Sequence, residues 1–213
     1  MSKITNLIIK ELPDINSPIG IATYNAYDEL SSTIFVVMHG YYRTAYSALR
    51  GALEYAVSGI CEQLIVRPRT TKRMSFNDCC SKAQKLPICR AIDDNLLTQH
   101  NKSLFAQKGS DTRAGWFRCC YNQLSEYAHG RDASSHSNIW ESNGPIYSEK
   151  AFEAVYNAFA EVAVLIGLAI AVATGATGIS NELAGLLKND KLTWFPSVHA
   201  VTAVIDVHGN AYR

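Results

Sequence analysis

Apolar residues recur at every third or fourth position along much of this chain, a spacing that places them on one face of an α-helix. The pattern begins at Thr23, and within it Leu49, Leu53, Ala56 and Ile60 fall on a single stripe. Further helices are expected at residues 88–107, 116–129, 148–174 and 180–190. Gaps in the pattern are short, so neighbouring helices are expected to pack against each other as a bundle.

The two ends of the chain carry a different pattern. Residues 1–22 place prolines around a short apolar piece, which predicts an irregular arm or a short strand. Residues 200–209, "AVTAVIDVHG", contain an alternation typical of a strand that would pair with the first arm. Gly40 either separates two helices or lies inside one long helix. We therefore predict an all-α, up-and-down bundle of about five helices over 23–190, with irregular or small β arms on either side (1–22 and 191–213).

One stretch is apolar enough to raise the question of a membrane. Residues 162–180 contain no charged side chain, but the strongly apolar part stops near Thr174. A spanning helix needs about 20 predominantly apolar residues. No basic cluster flanks the stretch, because Glu161 and Glu182 lie at its ends. We expect a helix buried in the core or in a subunit interface rather than a membrane span.

Composition narrows the classes of function. Hydrophobic residues make up 47% of the chain, charged residues 18%, and the formal net charge is +1. A net charge this close to zero lacks the excess of basic residues that is typical of proteins that bind long nucleic acids. A local basic patch is nevertheless enough to bind a small or single-stranded RNA. The cations in residues 67–73 are either a solvated loop or such a phosphate-facing patch. The N-terminus lacks the features of a secretory signal, so a cytoplasmic location is expected.

Six cysteines occur, and four of them form two adjacent pairs, Cys79–Cys80 and Cys119–Cys120. Adjacent pairs without a secretory signal favour reduced, structural thiols, with a redox switch or a metal cluster as the alternatives. Histidines and cysteines lack the spacings of known metal sites, and no cofactor-binding motif is present. We expect neither a metal nor a cofactor.

Side chains that could take part in catalysis or binding are most concentrated in "LSEYAHGRDASSH", residues 124–136. His129 ends a predicted helix, where an imidazole interacts favourably with the last carbonyl groups. That is one interpretation of His129; the other places it with Arg131 in a phosphate-binding or phosphate-cleaving site. Ser125 and Tyr127 add hydroxyl groups on the same helix, for packing, capping or substrate binding.

Arg50 and Glu54 are spaced by four residues on the apolar early helix, so they can form an intrahelical ion pair. A charged pair inside an apolar stripe is partly buried and needs further partners. We therefore expect Arg50 and Glu54 to meet the His129 segment across the bundle, either to order it or to form its site.

"YYRTAYSALRGALEYA" and "YNQLSEYAHGR" together resemble two helices of the HEPN superfamily of helical-bundle proteins. The resemblance implies a dimeric bundle and, for active members, metal-independent RNA cleavage in prokaryotic defence. Active members carry an arginine followed after four to six residues by a histidine. Arg131, Asp132 and His136 in "RDASSH" fit this pattern.

The chemistry of that motif is coherent. An imidazole can take the proton from the 2′-hydroxyl of RNA, and a guanidinium can stabilise the charge that grows on the phosphate. The resemblance implies His129 and His136 as acid and base, with Arg131 and Arg50 as phosphate ligands. Glu54 and Asp132 would orient these groups.

Three hypotheses about function follow. The first is an RNA- or nucleotide-directed defence effector of the toxin type that works as a homodimer. The second is a non-catalytic HEPN-like module that dimerises and binds a nucleotide or a regulatory protein. The third is a membrane-active protein that inserts residues 155–175.

Overall fold

The structure, a computed structural model, describes residues 14–65, 74–106, 115–129, 145–175 and 197–211, together with Asn6. Within these ranges the regular secondary structure is entirely helical, which confirms the predicted all-α bundle. Seven helices are described: α1 (Pro18–Met38), α2 (Tyr42–Leu64), α3 (Phe76–Ala83), α4 (Pro87–His100), α5 (Trp116–His129), α6 (Glu149–Thr174) and α7 (Ser197–Ala211).

Helices α1 and α2 form an antiparallel hairpin at the start of the bundle. α1 begins at Pro18, where the Ser17 hydroxyl accepts a hydrogen bond from the Gly20 backbone N–H at 3.0 Å. The bundle therefore starts earlier than the predicted boundary at Thr23, because a serine cap and a proline in the first turn favour helix initiation. Gly40 separates the two helices and adopts a φ of 77°, a conformation that glycine tolerates.

Helix α6 forms the centre of the bundle and packs against α1, α2, α5 and α7. It begins where the Ser148 hydroxyl accepts the Ala151 N–H at 3.4 Å. All its residues from Val162 to Val172 are buried, as expected of a core helix that is apolar all round. By length and composition α6 could also cross a membrane, but 78% of an apolar 18-residue stretch of this helix is buried within the bundle.

The prediction of a C-terminal strand is wrong. Residues 197–211 form α7, which packs on α4 and α6. Ala200, Ala203 and Val204 are buried at the three- and four-residue spacing of one helical face. The apolar pattern of "AVTAVIDV" is thus compatible with the period of a strand and with that of a helix, and packing against the bundle favours the helix. The N-terminal "LIIKEL" and residues 180–190 lie outside the described residues.

Two helix boundaries near the centre of the chain also differ from the prediction. The sequence pattern predicted no helix between α2 and residue 88, but Phe76–Ala83 forms α3. Ser75 caps it, since its hydroxyl accepts the Asp78 N–H at 3.2 Å and donates to the Asp78 carboxylate at 2.7 Å. α4 ends at His100 rather than at 107, because Asn101 adopts a left-handed conformation with φ 54°.

Two sets of polar contacts, buried or partly buried, hold α5 in position. Asp93 of α4 accepts hydrogen bonds from the backbone N–H groups of residues 104–106, and Ser103 and Leu104 in turn accept the first backbone N–H groups of α5. The Trp116 indole N–H donates to Glu161 of α6 at 2.6 Å. The start of α5 is therefore fixed to α4 and α6, and this sets where its other end, with His129, reaches α2.

Candidate functional site

Arg50 of α2 meets His129 at the end of α5, as expected from the sequence. Arg50 Nη1 lies 3.3 Å from His129 Nε2, although the two residues are 79 positions apart. A guanidinium has donors only, so His129 Nε2 is the acceptor in this hydrogen bond. An Nε2 atom that accepts a hydrogen bond carries no hydrogen, so this contact requires the tautomer with its hydrogen on Nδ1.

Glu54 and Tyr121 complete a four-residue cluster with these two. Arg50 Nε lies 3.7 Å from Glu54 Oε1, and the Tyr121 hydroxyl donates to the same oxygen at 2.9 Å. The guanidinium carbon of Arg50 lies 5.8 Å from the centre of the Tyr121 ring, within reach of a cation–π interaction. We call Arg50, Glu54, Tyr121 and His129 the Arg50 cluster.

The Arg50 cluster is partly open to solvent, which a ligand requires. The side chains of Arg50 and Glu54 are 30% and 29% exposed, and His129 is exposed. Arg50 Nε is itself buried and makes no hydrogen bond within the described part of the chain. The guanidinium is therefore oriented by Glu54 and Tyr121. An anion would have to bind its Nη atoms, because Nε is buried and faces Glu54.

The Tyr121 hydroxyl is kept protonated by its surroundings. Burial raises the pKa of Tyr121 most, and the hydrogen bond to Glu54 and the charge of that carboxylate raise it further. Arg50 and a hydrogen bond with Ser125 lower the same pKa, but they are outweighed. Tyr121 therefore acts as a hydrogen-bond donor that holds Glu54 in place.

The other predicted site residues divide into three groups. Ser125 joins the cluster through its contact with Tyr121. Tyr127 instead stacks on Tyr46 of α2, with ring centres 4.6 Å apart at 15°, which is a packing contact. Three further candidates lie outside the described residues and stay predictions: Arg131, Asp132 and His136.

Tyr121 is the member of the cluster that sequence reasoning missed. Its helical spacing matches that of Phe117 and Leu124, which are both buried. Tyr121 is only partly buried, and its hydroxyl faces Glu54. The sequence did indicate that Tyr121 lies near His129. A spacing of four residues places Tyr121, Ser125 and His129 on one face of a helix.

A cavity of about 340 Å³ adjoins the Arg50 cluster. Glu54 and Tyr121 form part of its wall, and Phe76 of α3 stacks on Tyr121 with ring centres 3.9 Å apart. Its remaining lining residues are Ser58, Met74, Ser75 and Cys79. The cavity is therefore lined on one side by the charged Glu54 and elsewhere by aromatic and hydroxyl-bearing side chains. The cationic residues 67–73, which precede Met74, lie outside the described residues.

The cluster combines the groups needed to recognise a phosphate. A guanidinium held by a carboxylate can form two parallel hydrogen bonds to phosphate oxygens, and the free lone pair of an imidazole can accept a proton. Among the residues that the structure describes, no three His, Cys, Asp or Glu side chains are grouped so that they could hold a metal ion.

Comparison with known proteins gives no relative for this chain. No protein-family model matches it, and neither a curated protein nor a solved structure is found to match it. The resemblance to HEPN proteins therefore depends on the two quoted segments alone.

Proposed function

We propose that this chain is a HEPN-like, metal-independent endoribonuclease of prokaryotic defence that works as a cytoplasmic homodimer, with the Arg50 cluster in its active site. One observation carries the proposal: the 3.3 Å contact between Arg50 Nη1 and His129 Nε2 joins the two functional groups that metal-independent RNA cleavage requires. The contact links α2 and α5, the two helices on which the HEPN resemblance depends.

Each member of the cluster has a distinct role in this mechanism. When a phosphodiester binds, Arg50 transfers its donor from His129 to a phosphate oxygen. The freed Nε2 of His129 then accepts the proton of the adjacent 2′-hydroxyl, whose oxygen attacks phosphorus. The phosphorus–5′-oxygen bond breaks, and the leaving oxygen takes a proton from a second acid, for which His136 is the candidate. Glu54 and Tyr121 keep the Arg50 guanidinium aligned.

A second function is favoured by the same contact: a non-catalytic module that binds a nucleotide or another phosphate ligand. His129 Nε2 accepts a hydrogen bond from Arg50, so the lone pair that a general base requires is occupied. If Arg50 and His129 stay together when the ligand binds, they form a phosphate clamp without a base. The two functions differ in whether bound RNA is cut.

Incubation of purified protein with single-stranded RNA and a chelator tests both functions. Cleavage is expected to leave 2′,3′-cyclic phosphate ends and to fail on RNA that is 2′-O-methylated. His129→Ala should reduce the cleavage rate by about 10²–10⁴-fold, the usual contribution of a general base. Arg50→Ala should weaken both binding and cleavage, and sedimentation should show a dimer.

Two control variants match these changes. His39→Ala removes an exposed histidine at the end of α1, and Arg43→Ala removes an arginine from the first turn of α2. Both should leave activity unchanged. RNA that binds intact, with binding lost in Arg50→Ala, would establish the clamp instead. RNA that neither binds nor is cut, under conditions in which the protein is folded, would refute both functions.

A further inference from the structure

Two cysteines on neighbouring helices lie in contact beside the cavity. Cys61 is near the end of α2 and Cys79 is in the first half of α3. The Cys61 thiol donates to the backbone oxygen of Cys79 at 3.0 Å, and the two thiols also interact with each other. Because α2 and α3 pack together, the contact brings together two sulfur atoms from separate elements.

The surroundings make these two sulfurs unequal. A side-chain interaction with the Cys61 thiol, distinct from its bond to the backbone, lowers the pKa of Cys79, and the charge of Lys82 assists, while burial and the carboxylates of Glu62 and Asp78 oppose it. The same interaction between the two thiols, together with burial, raises the pKa of Cys61 far above its usual value. Cys79 therefore has the greater thiolate character, and Cys61 stays a thiol beside it.

The other cysteines lack this character, and all six lie within the described residues. Burial raises the pKa of Cys80 and of Cys89 to about 12. Burial also raises the pKa of Cys119 and, well above its usual range, that of Cys120. Cys79 is thus the only cysteine of the chain whose pKa is lowered.

A small molecule can approach Cys79 through the cavity. Cys79 is part of the wall of the 340 Å³ space that also borders Glu54 and Tyr121. Only 1% of the Cys79 surface is exposed, whereas Cys119 is half-buried. A bulky thiol reagent should therefore react first at Cys119, while a small oxidant that selects thiolates should react first at Cys79.

We propose that Cys79 is a peroxide-reactive site and that Cys61 is its resolving partner, so that oxidation links α2 to α3 by a disulfide. The Cys79 thiolate attacks one oxygen of hydrogen peroxide, which gives a sulfenic acid and hydroxide. The Cys61 sulfur then displaces hydroxide from that sulfenic acid, and the two hydroxides take up the two thiol protons. Two thiols and one peroxide thus yield one disulfide and two waters.

Mass spectrometry of the full-length protein tests the proposal. Reduced protein is treated with equimolar hydrogen peroxide, its remaining thiols are capped, and it is digested with trypsin. Cleavage is expected to place Cys61 in peptide 51–69 and Cys79 with Cys80 in peptide 74–82. The expected product is a disulfide-linked pair of these peptides. Fragmentation in the mass spectrometer should locate the linkage at Cys79, and a reductant should separate the two peptides.

Variants assign the order of the two steps. Cys79→Ser should slow peroxide consumption by about tenfold or more, because the reactive thiolate is gone. Cys61→Ser should stop the reaction at a Cys79 sulfenic acid, which dimedone captures. The control Cys119→Ser should form the linkage as the wild type does.

Three results would overturn the proposal, and none depends on whether RNA is the substrate. The first is that peroxide oxidises Cys119 before Cys79. The second is a disulfide that contains Cys80 instead of Cys79, and the third is that all thiols stay reduced while peroxide is in excess. Because the linkage is measured in the wild-type protein, a variant that fails to fold leaves the test intact.

Discussion

Replacing Asp93 by asparagine should remove a pH dependence from the stability of this bundle. The Asp93 side chain is 2% exposed and accepts hydrogen bonds from the backbone N–H groups of Leu104 at 2.7 Å and Ala106 at 2.8 Å. Phe105 N–H contributes two longer contacts of 3.3 Å. Burial disfavours the carboxylate, whereas these donors favour it, so the two effects act in opposite directions.

Burial is the larger effect, and it raises the pKa of Asp93 from 3.8 to about 6. A carboxyl group whose pKa is higher in the folded state binds its proton more tightly there than in the unfolded chain. Its contribution to stability is therefore complete below pH 3.8 and is lost as the pH rises to about 6. At about 1.4 kcal/mol for each pKa unit, the loss amounts to roughly 3 kcal/mol.

Urea unfolding of the wild type and of Asp93→Asn between pH 4 and pH 7 measures this effect. The free energy of unfolding of the wild type, minus that of the variant, should fall by about 2–3 kcal/mol over this range. The subtraction cancels the other titrating groups, and the packing of the amide changes only a constant offset. A flat difference would show that the backbone donors cancel burial, and a difference that increases with pH would show that they outweigh it; either result would refute the reasoning.

Two further predictions concern packing and a buried acid. Gly59→Ala should destabilise the protein by about 1–3 kcal/mol, because the new Cβ would lie 2.6 Å from Ala22 Cβ where α1 and α2 touch. The matched control is Gly51→Ala, whose Cβ would meet only a flexible glutamate side chain at 3.2 Å. In urea unfolding this control should be neutral or stabilising by up to about 1 kcal/mol. An equal loss of stability in both variants would contradict the close-packing argument. Trp116→Phe should cost roughly 1.5–3 kcal/mol at neutral pH, because Glu161 loses its 2.6 Å donor, and should raise the already elevated pKa of Glu161 further. That cost should shrink in acid, where the carboxyl is protonated, and a loss independent of pH would show that only packing had changed.

Local pattern was sufficient for most of the helical core. Apolar spacing predicted α5 and α6 almost to the residue, because this signal lies within the helix itself. The prediction failed where the local signal was ambiguous. Residues 197–211 fit a strand or a helix equally well, and their contacts with α4 and α6 favour the helix. Helix α3 was missed because its eight residues are too few to display a clear period.

The candidate site shows the same division. A charged pair spaced by four residues in an apolar helix predicted that Arg50 and Glu54 need partners, since burial of an unpaired charge is costly. The sequence also determined that His129 would end a helix. Only the tertiary structure decided that α5 lies against α2 in the register that brings His129 Nε2 to Arg50 and the Tyr121 hydroxyl to Glu54. That register depends on contacts between residues far apart in the chain, such as Trp116 with Glu161, and no local pattern encodes them.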